Sequence, residues 1–424
     1  MEVATSTSVS RFDQADTRIR VELKVETNLA EVRTNIDTNT ALRRVDLVFY
    51  CSSMQLDWPD VEVFIESICR NPELQELKLT SGESRTYVIL PVSTVAAVLD
   101  LATDLRKLEV GPIQLAGTEA DFTQLQCAFQ NHSSLKELFV SGWLSEETRI
   151  AMTQDALARS IASSRSLETV SYQPSFTFGG ITDVTVGMLC TLPALHTLHI
   201  SKCNLTDRNV VAMAVALQDN RALIELNLCC RLGAPGSQAI ANCLRSNNTL
   251  EALIIHNTSF STESDTTDSS VDSITSPCEA VVLDSHMAEI GNALKANTSL
   301  KTLAMHGPRL SHQSQTTFVD VLRENYSLQT LSLVALHSDL RDEVEMYTQL
   351  NRCGRAKLFR QGTSNQEWIH TMTLVSDNLN CIFYLLSKRP SLCDVGDSKR
   401  KRGILNNASG LCYDRSTKRG KPAT

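Results

Sequence analysis

The chain predicts an α/β solenoid, with parallel strands lining a concave face and helices on the convex face. Three observations predict it: an aliphatic motif that recurs at a nearly fixed period, an amphipathic helical stretch ahead of each copy, and a composition suited to stacked aliphatic layers. The motif is Leu-x-x-Leu-x-Leu with aliphatic substitutions, starting at Leu42, Leu74, Leu105, Leu135, Leu167, Leu195, Leu223, Leu250, Leu300 and Leu328. Successive starts lie 27 to 32 residues apart, apart from one step of 50. That period holds one strand and one helix, and self-similarity at such a period marks a repeat array. Hydrophobic residues make up 42% of the 424 and aromatics only 5%, so the core is built from aliphatic side chains rather than large rings.

Within each copy the motif ends in apolar residues two apart, as in Leu198 and Ile200, which puts one face of a strand in the core. The preceding stretch has apolar residues four apart, a spacing that shares one helix face: Ile240 with Leu244, Ile290 with Leu294, Phe318 with Leu322. An Asn follows each of these (Asn248, Asn297 and Asn325), which suits a helix C-terminal turn, where a left-handed conformation is often needed. The first copy fits too, with Leu29, Val32, Ile36, Asn39 and Leu42.

One copy reads Leu195-His-Thr-Leu198-His-Ile200-Ser-Lys-Cys203-Asn-Leu205. It resembles the leucine-rich repeat of the ribonuclease-inhibitor type, and the resemblance extends over about residues 27 to 335. Other copies depart at the Asn/Cys position, which holds Gly82, Trp143, Thr258 and Pro308. The resemblance implies a horseshoe-shaped leucine-rich-repeat solenoid. Strands stacked ~4.8 Å apart opposite helices that need roughly 8–10 Å force the array to curve with the strands inside. Ten strands then span an arc of roughly 48 Å, at ~4.8 Å each. Arrays of this kind use the concavity to bind partners.

The chain reads in four segments: 1–26, disordered or capping; 27–340, the repeat array of about ten units; 341–393, a helical C-terminal cap; and 394–424, a basic disordered tail. The step of 50 is an acidic, Ser/Thr-rich insertion at 258–279, read as a flexible loop because it lacks the apolar residues needed to order itself. In it Thr262 and Ser269 each precede an acid by three residues and are candidate phosphorylation sites. Residues 341–360 read as one helix and 366–388 as one or two more, covering the apolar end that a repeat array exposes. The segments Leu350-Asn-Arg-Cys-Gly-Arg355 and Cys381-Ile-Phe-Tyr-Leu-Leu386 resemble closing segments of leucine-rich-repeat proteins.

The formal net charge is −8, unevenly spread: from Asp394 onward eight Lys and Arg stand against three Asp. An acidic body argues against nucleic acid as a partner, because phosphate contacts need clustered cations. The tail run Lys399-Arg400-Lys401-Arg402 is a candidate nuclear import signal. No run of eighteen apolar residues is present and the N-terminus is polar, so neither a membrane span nor a secretory signal is expected. The 13 Cys show no paired spacing, and Cys127, Cys190, Cys203 and Cys243 fall where core residues are expected. The expected compartment is therefore reducing, cytoplasmic or nuclear.

Motifs for catalysis are absent. There is no phosphate-binding glycine loop, no His-Glu-x-x-His or Cys-x-x-Cys pair and no Gly-x-Ser-x-Gly elbow; Gly179-Gly180 and Gly233-Ala-Pro-Gly236 read as turns. No enzyme activity, cofactor, metal or small-molecule substrate is expected. His256 and His306 hold equivalent places in successive copies, about 5 Å apart at the strand spacing, without an evident third metal ligand. The expected function is protein recognition by residues that flank the second motif Leu and face the concavity. These run from a mixed-charge floor (Arg44, Asp46, Glu76, Lys78, Lys107, Glu109) through Glu137, Phe139, Trp143, Thr169 and Ser171 to His199, Asn227, Ile254, His256, Thr302 and His306. Phe139 and Trp143 stand out as aromatic anchors. Similar arrays occur in GTPase activators, whose tails are acidic where this one is basic. They occur also in ubiquitin-ligase substrate receptors and in innate sensors, which carry modules ahead of the repeats that residues 1–26 are too short to supply.

Overall fold

The structure is a computed structural model that describes residues 17–24, 27–39, 41–50, 58–82, 88–142, 150–174, 181–230, 232–257, 277–307, 310–360 and 362–393. The described residues form thirteen strands and fourteen helices. The strands are β1 (Arg18–Leu23), β2 (Arg44–Phe49), β3 (Glu76–Ser81), β4 (Ile89–Pro91), β5 (Lys107–Val110), β6 (Gln114–Ala116), β7 (Glu137–Gly142), β8 (Thr169–Pro174), β9 (Thr197–Leu205), β10 (Glu225–Cys230), β11 (Ala252–Asn257), β12 (Thr302–His306) and β13 (Thr330–Leu333). The helices are α1 (Leu29–Thr38), α2 (Trp58–Cys69), α3 (Val92–Leu101), α4 (Glu119–Asn131), α5 (Ile150–Ala162), α6 (Asp183–Leu189), α7 (Asp207–Asp219), α8 (Ala234–Ser246), α9 (Pro277–Ala296), α10 (His312–Glu324), α11 (Ser338–Arg352), α12 (Arg355–Leu358), α13 (Asn365–Leu374) and α14 (Leu379–Lys388).

Eleven of the strands form one sheet in the order β1-β2-β3-β5-β7-β8-β9-β10-β11-β12-β13, paired in parallel throughout, while β4 and β6 pair separately. Each helix from α1 to α10 packs on the next. One long parallel sheet whose strands follow one another in chain order, with a helix between neighbours, fits a repeat solenoid. The chain divides into two compact units, residues 1–352 and 353–424.

The motif residues make the spine. All ten first leucines, from Leu42 to Leu328, are at most 2% exposed. Most second and third motif positions are as well covered, such as Val45 and Leu47, Leu198 and Ile200, or Leu253 and Ile255, while Val140, Met305 and Leu331 are half-buried. Strand register stacks like on like: Leu226 lies beside Leu198 on one side and Leu253 on the other. Each buried Leu or Ile contributes roughly 1.5–3 kcal/mol by leaving water.

Asparagines tie the turns between units. The Asn247 side chain donates to Leu217 O (2.8 Å) and accepts from Thr249 N–H (3.0 Å) and Leu250 N–H (2.8 Å). Asn297 repeats the pattern, donating to Leu244 O and Asn247 O and accepting from Ser299 and Leu300. Asn325 does so on Leu294 O and Asn297 O, and Asn351 donates to Asn325 O and Leu328 O. Asn247, Asn297 and Asn325 thus satisfy carbonyls left open at the preceding unit's turn and amides entering their own strands, and Asn351 shares the first of these tasks. The expected left-handed conformation is not used: Asn247 and Asn325 are extended, with φ of −81° and −86°. The ladder residue after α8 is Asn247, not Asn248. An extended backbone aims the amide across to the neighbouring unit, which a left-handed turn would not. His132 takes the same place after α4, bridging Ala102 O (2.9 Å) and Leu135 N–H (3.1 Å) with its two ring nitrogens.

Several details differ from the sequence expectation. Residues 18–23, placed in the N-terminal segment, form a full strand that extends the sheet by one, with Ile19, Val21 and Leu23 buried and the charged residues between them facing out. It lacks the leucine motif, so its alternation carries the only signal. The stretch 341–393, read as one cap, divides at Arg352: α11 packs on α10 in the first unit and the other helices belong to the second. The single helix expected over 341–360 breaks at Gly354, whose φ of +91° is outside helical space. Helix α9 begins at Pro277, inside the expected insertion. Gly233-Ala-Pro-Gly236 is a helix start rather than a turn, with Gly233 as N-cap and its N–H bonded to Asp207 Oδ1 (2.7 Å) of the preceding unit. Cys127 is exposed on α4, whose inward face is Phe122, Leu125, Ala128 and Phe129. Cys190 and Cys243 are buried thiols, pushed up by burial to about 12 and about 11, while Cys203 has no described side chain.

Candidate partner-binding face

Because strand side chains alternate, every strand that buries two motif residues turns the residues between them to the opposite face. Register then assembles those residues into rows. One row reads Arg18, Arg44, Glu76, Lys107, Glu137, Thr169, Thr197, Glu225, Ala252, Thr302 and Thr330. The next reads Arg20, Asp46, Lys78, Glu109, Phe139, Ser171, His199, Asn227, Ile254, Ala304 and Ser332.

The first half of this face is an ion-pair lattice. Asp46 accepts from Arg18 (2.9 Å) and Arg44 (3.1 Å), and Arg44 also reaches Glu76 (3.0 Å). Lys78 pairs with Glu109, and Lys107 with Glu137 (2.8 Å). Burial pushes the Asp46 carboxyl up, but the hydrogen bonds and charges of Arg18 and Arg44 outweigh it and hold it below its ordinary value. The Asp46 hydrogen bond raises Arg44, and the Glu137 hydrogen bond raises Lys107.

From β8 on, the face changes. Thr169, Ser171, Thr197, Asn227, Ala252, Ile254, Thr302 and Ser332 carry no charge. Thr169, Ser171, His199, Asn227 and Ile254 are half-buried. The charged member of these two rows is Glu225, with His199 Nε2 3.9 Å from its carboxylate. Phe139 sits at the border, half-buried in the row between Glu109 and Ser171, and Glu137 beside it is exposed. At the carboxyl ends of β11 and β12, His256 and His306 are register partners with rings stacked 4.8 Å apart at 23°. Burial, and next the charge of His306, push the His256 imidazole below its ordinary value.

Trp143, Thr262, Ser269, Lys399, Arg400, Lys401 and Arg402 lie outside the described residues. Among the described residues no helix is long and apolar enough to cross a membrane. A grouping that sequence reading missed is His312, His337 and Asp339, whose ligand atoms lie within 4.8 Å of one another. No local spacing announces it, because 25 residues separate the two histidines.

No known family matches the chain, and no curated protein matches it. Among solved structures, 68 chains match. One is the leiomodin-1 actin-binding site 2, 21% identical, with a TM-score of 0.28, covering 37% of this chain and 80% of that one. A likeness of that size assigns neither family nor partner.

Proposed function

We propose that the chain is a non-enzymatic scaffold of the ribonuclease-inhibitor-like leucine-rich-repeat type, curved into a horseshoe, that holds a protein partner on the open face of its sheet. The observation that carries this reading is the change of chemistry along that face. A partner covering β2 to β7 must strip water from groups already paired with one another, at a cost that new contacts hardly recover. A partner covering β8 to β13 displaces water from Thr, Ser, Asn, Ala and Ile side chains. These are cheap to desolvate and offer hydrogen bonds with little charge, in keeping with the depletion of charged residues at an interface core. Phe139 at the border of this neutral tract and Ile254 within it supply its apolar area. The partner expected there presents an uncharged, partly apolar surface. The buried free thiols Cys69, Cys190, Cys230 and Cys243 support a reducing compartment, cytoplasmic or nuclear.

The test compares proteins captured from native cells by three forms of the chain: wild type, an Asn227→Arg/Ile254→Arg variant, and a Lys78→Ala/Glu109→Ala variant. The reading expects a partner retained by wild type and by the second variant and lost from the first, at unchanged circular dichroism. A partner set identical in all three forms overturns it.

A further inference from the structure

His312, His337 and Asp339 come together at the carboxyl ends of the last strands, where β12 leads into α10 and β13 into α11. His312 is the first residue of α10, His337 lies in the turn after β13, and Asp339 is in the first turn of α11. His312 Nε2 is 2.8 Å from Asp339 Oδ2, and the His337 ring stands edge-on to that of His312 at 4.8 Å between centroids and 79°. All three side chains are exposed, so an ion from solvent can reach them.

The turn that brings His337 to His312 is held from beneath. Gln315, one turn along α10 from His312, is fully buried. Its amide donates to Leu310 O and Ala335 O, both at 3.2 Å, and its carbonyl accepts from the His337 N–H at 2.8 Å. Ala335, two residues before His337, has a φ of +51°, the one non-glycine at positive φ among the described residues. A β-carbon disfavours that conformation, so it persists where the surroundings over-determine it. On the other side, Thr316 Oγ1 lies 3.5 Å from His312 Nδ1, the ring nitrogen turned away from Asp339. A buried glutamine and a strained turn thus hold the backbone that brings His337 beside His312, and an outer polar contact touches His312 itself.

We propose that His312, His337 and Asp339 bind one divalent transition-metal ion, zinc by donor preference, leaving at least one coordination position open. Two imidazole nitrogens and one carboxylate oxygen are the borderline donors that favour zinc and its neighbours over calcium or magnesium, which take all-oxygen shells. In a tetrahedral complex with bonds of about 2.0–2.1 Å, donor atoms lie roughly 3.4 Å apart. Donors already within 4.8 Å reach that spacing by small side-chain rotations. The ion replaces the His312–Asp339 hydrogen bond. Three protein ligands with a fourth position open is the arrangement in which a metal accepts water or a partner's side chain.

The experiment titrates chelator-washed full-length chain with Zn²⁺ by calorimetry, and with Co²⁺ by absorption spectroscopy to separate nitrogen and oxygen ligation from thiolate ligation. Wild type is compared with His312→Ala/His337→Ala, with Asp339→Asn, and with His256→Ala/His306→Ala. The expected result is one equivalent of Zn²⁺ on wild type and on the His256/His306 variant. Affinity should fall by about 100-fold or more in the His312/His337 variant and by about tenfold in Asp339→Asn. The Co²⁺ spectrum should lack a sulfur charge-transfer band. The proposal is overturned by undiminished affinity in the His312/His337 variant, by loss confined to the His256/His306 variant, by a thiolate spectrum, or by no binding to wild type.

Discussion

The two halves of the array solve the same stacking problem differently. Its earlier half carries the irregular parts: the added strand β1, the small β4–β6 sheet, and a histidine rather than an asparagine at the turn after α4. Its open face is closed upon itself by ion pairs from Arg18 to Glu137. In the later half Asn247, Asn297, Asn325 and Asn351 each join a turn to the one before, as Asn71 does to Asn39 near the start of the array. There the open face is almost free of charge. Where outward side chains are not paired with one another across strands, they can be changed for contact without disturbing the scaffold. Where outward side chains themselves hold neighbouring strands, changing them changes the scaffold.

The sharpest way to break this comparison is at the turns. Asn297→Ala leaves two carbonyls and two amides of a buried turn without their partner, and should cost about 2–3 kcal/mol in urea unfolding. His132→Ala should approach that loss, while His132→Asn should recover about 1 kcal/mol of it, because an amide can make the same two bonds. Equal stability of the two His132 variants would show that the turn after α4 gains nothing from these two bonds.

The second prediction concerns the lattice. Asp46→Asn should cost about 1.5–2 kcal/mol at neutral pH, since the side chain is 8% exposed and accepts from two arginines. Because its carboxyl is held below its ordinary value in the fold, its contribution is present above the unfolded value of about 3.9 and is lost as pH falls through the folded one. The acid limb of the stability curve should therefore flatten in the variant. The matching change on the neutral half, Ser171→Ala, should move stability by less than about 0.5 kcal/mol. A comparable loss there would erase the distinction between the halves.

The smallest effect belongs to the stacked histidines. With His256 held below its ordinary value, the unfolded chain binds a proton more readily, so stability should decline as pH drops below about 6.5 and level off once the folded imidazole is protonated. In thermal unfolding at pH 7.5 and 5.5, His256→Gln should show a smaller difference than wild type. An unchanged difference would place the titration elsewhere.

What could be read from residues alone was the repeat. Ten leucine motifs at strand-plus-helix spacing determine which side chains are buried, because each layer must cover the apolar face of the next. The parallel order follows from that, and so does the adjacency of His256 and His306, since equal positions in successive layers become neighbours. The tertiary structure decided whatever depends on geometry across layers. Asn297 and His132 look unrelated in sequence yet perform one task, because the task is set by where the preceding turn leaves its carbonyls. Strand β1 carries only alternation and needed a neighbouring strand edge to declare it. His312, His337 and Asp339 have no spacing in common; a buried glutamine and the turn of one layer over another place them together.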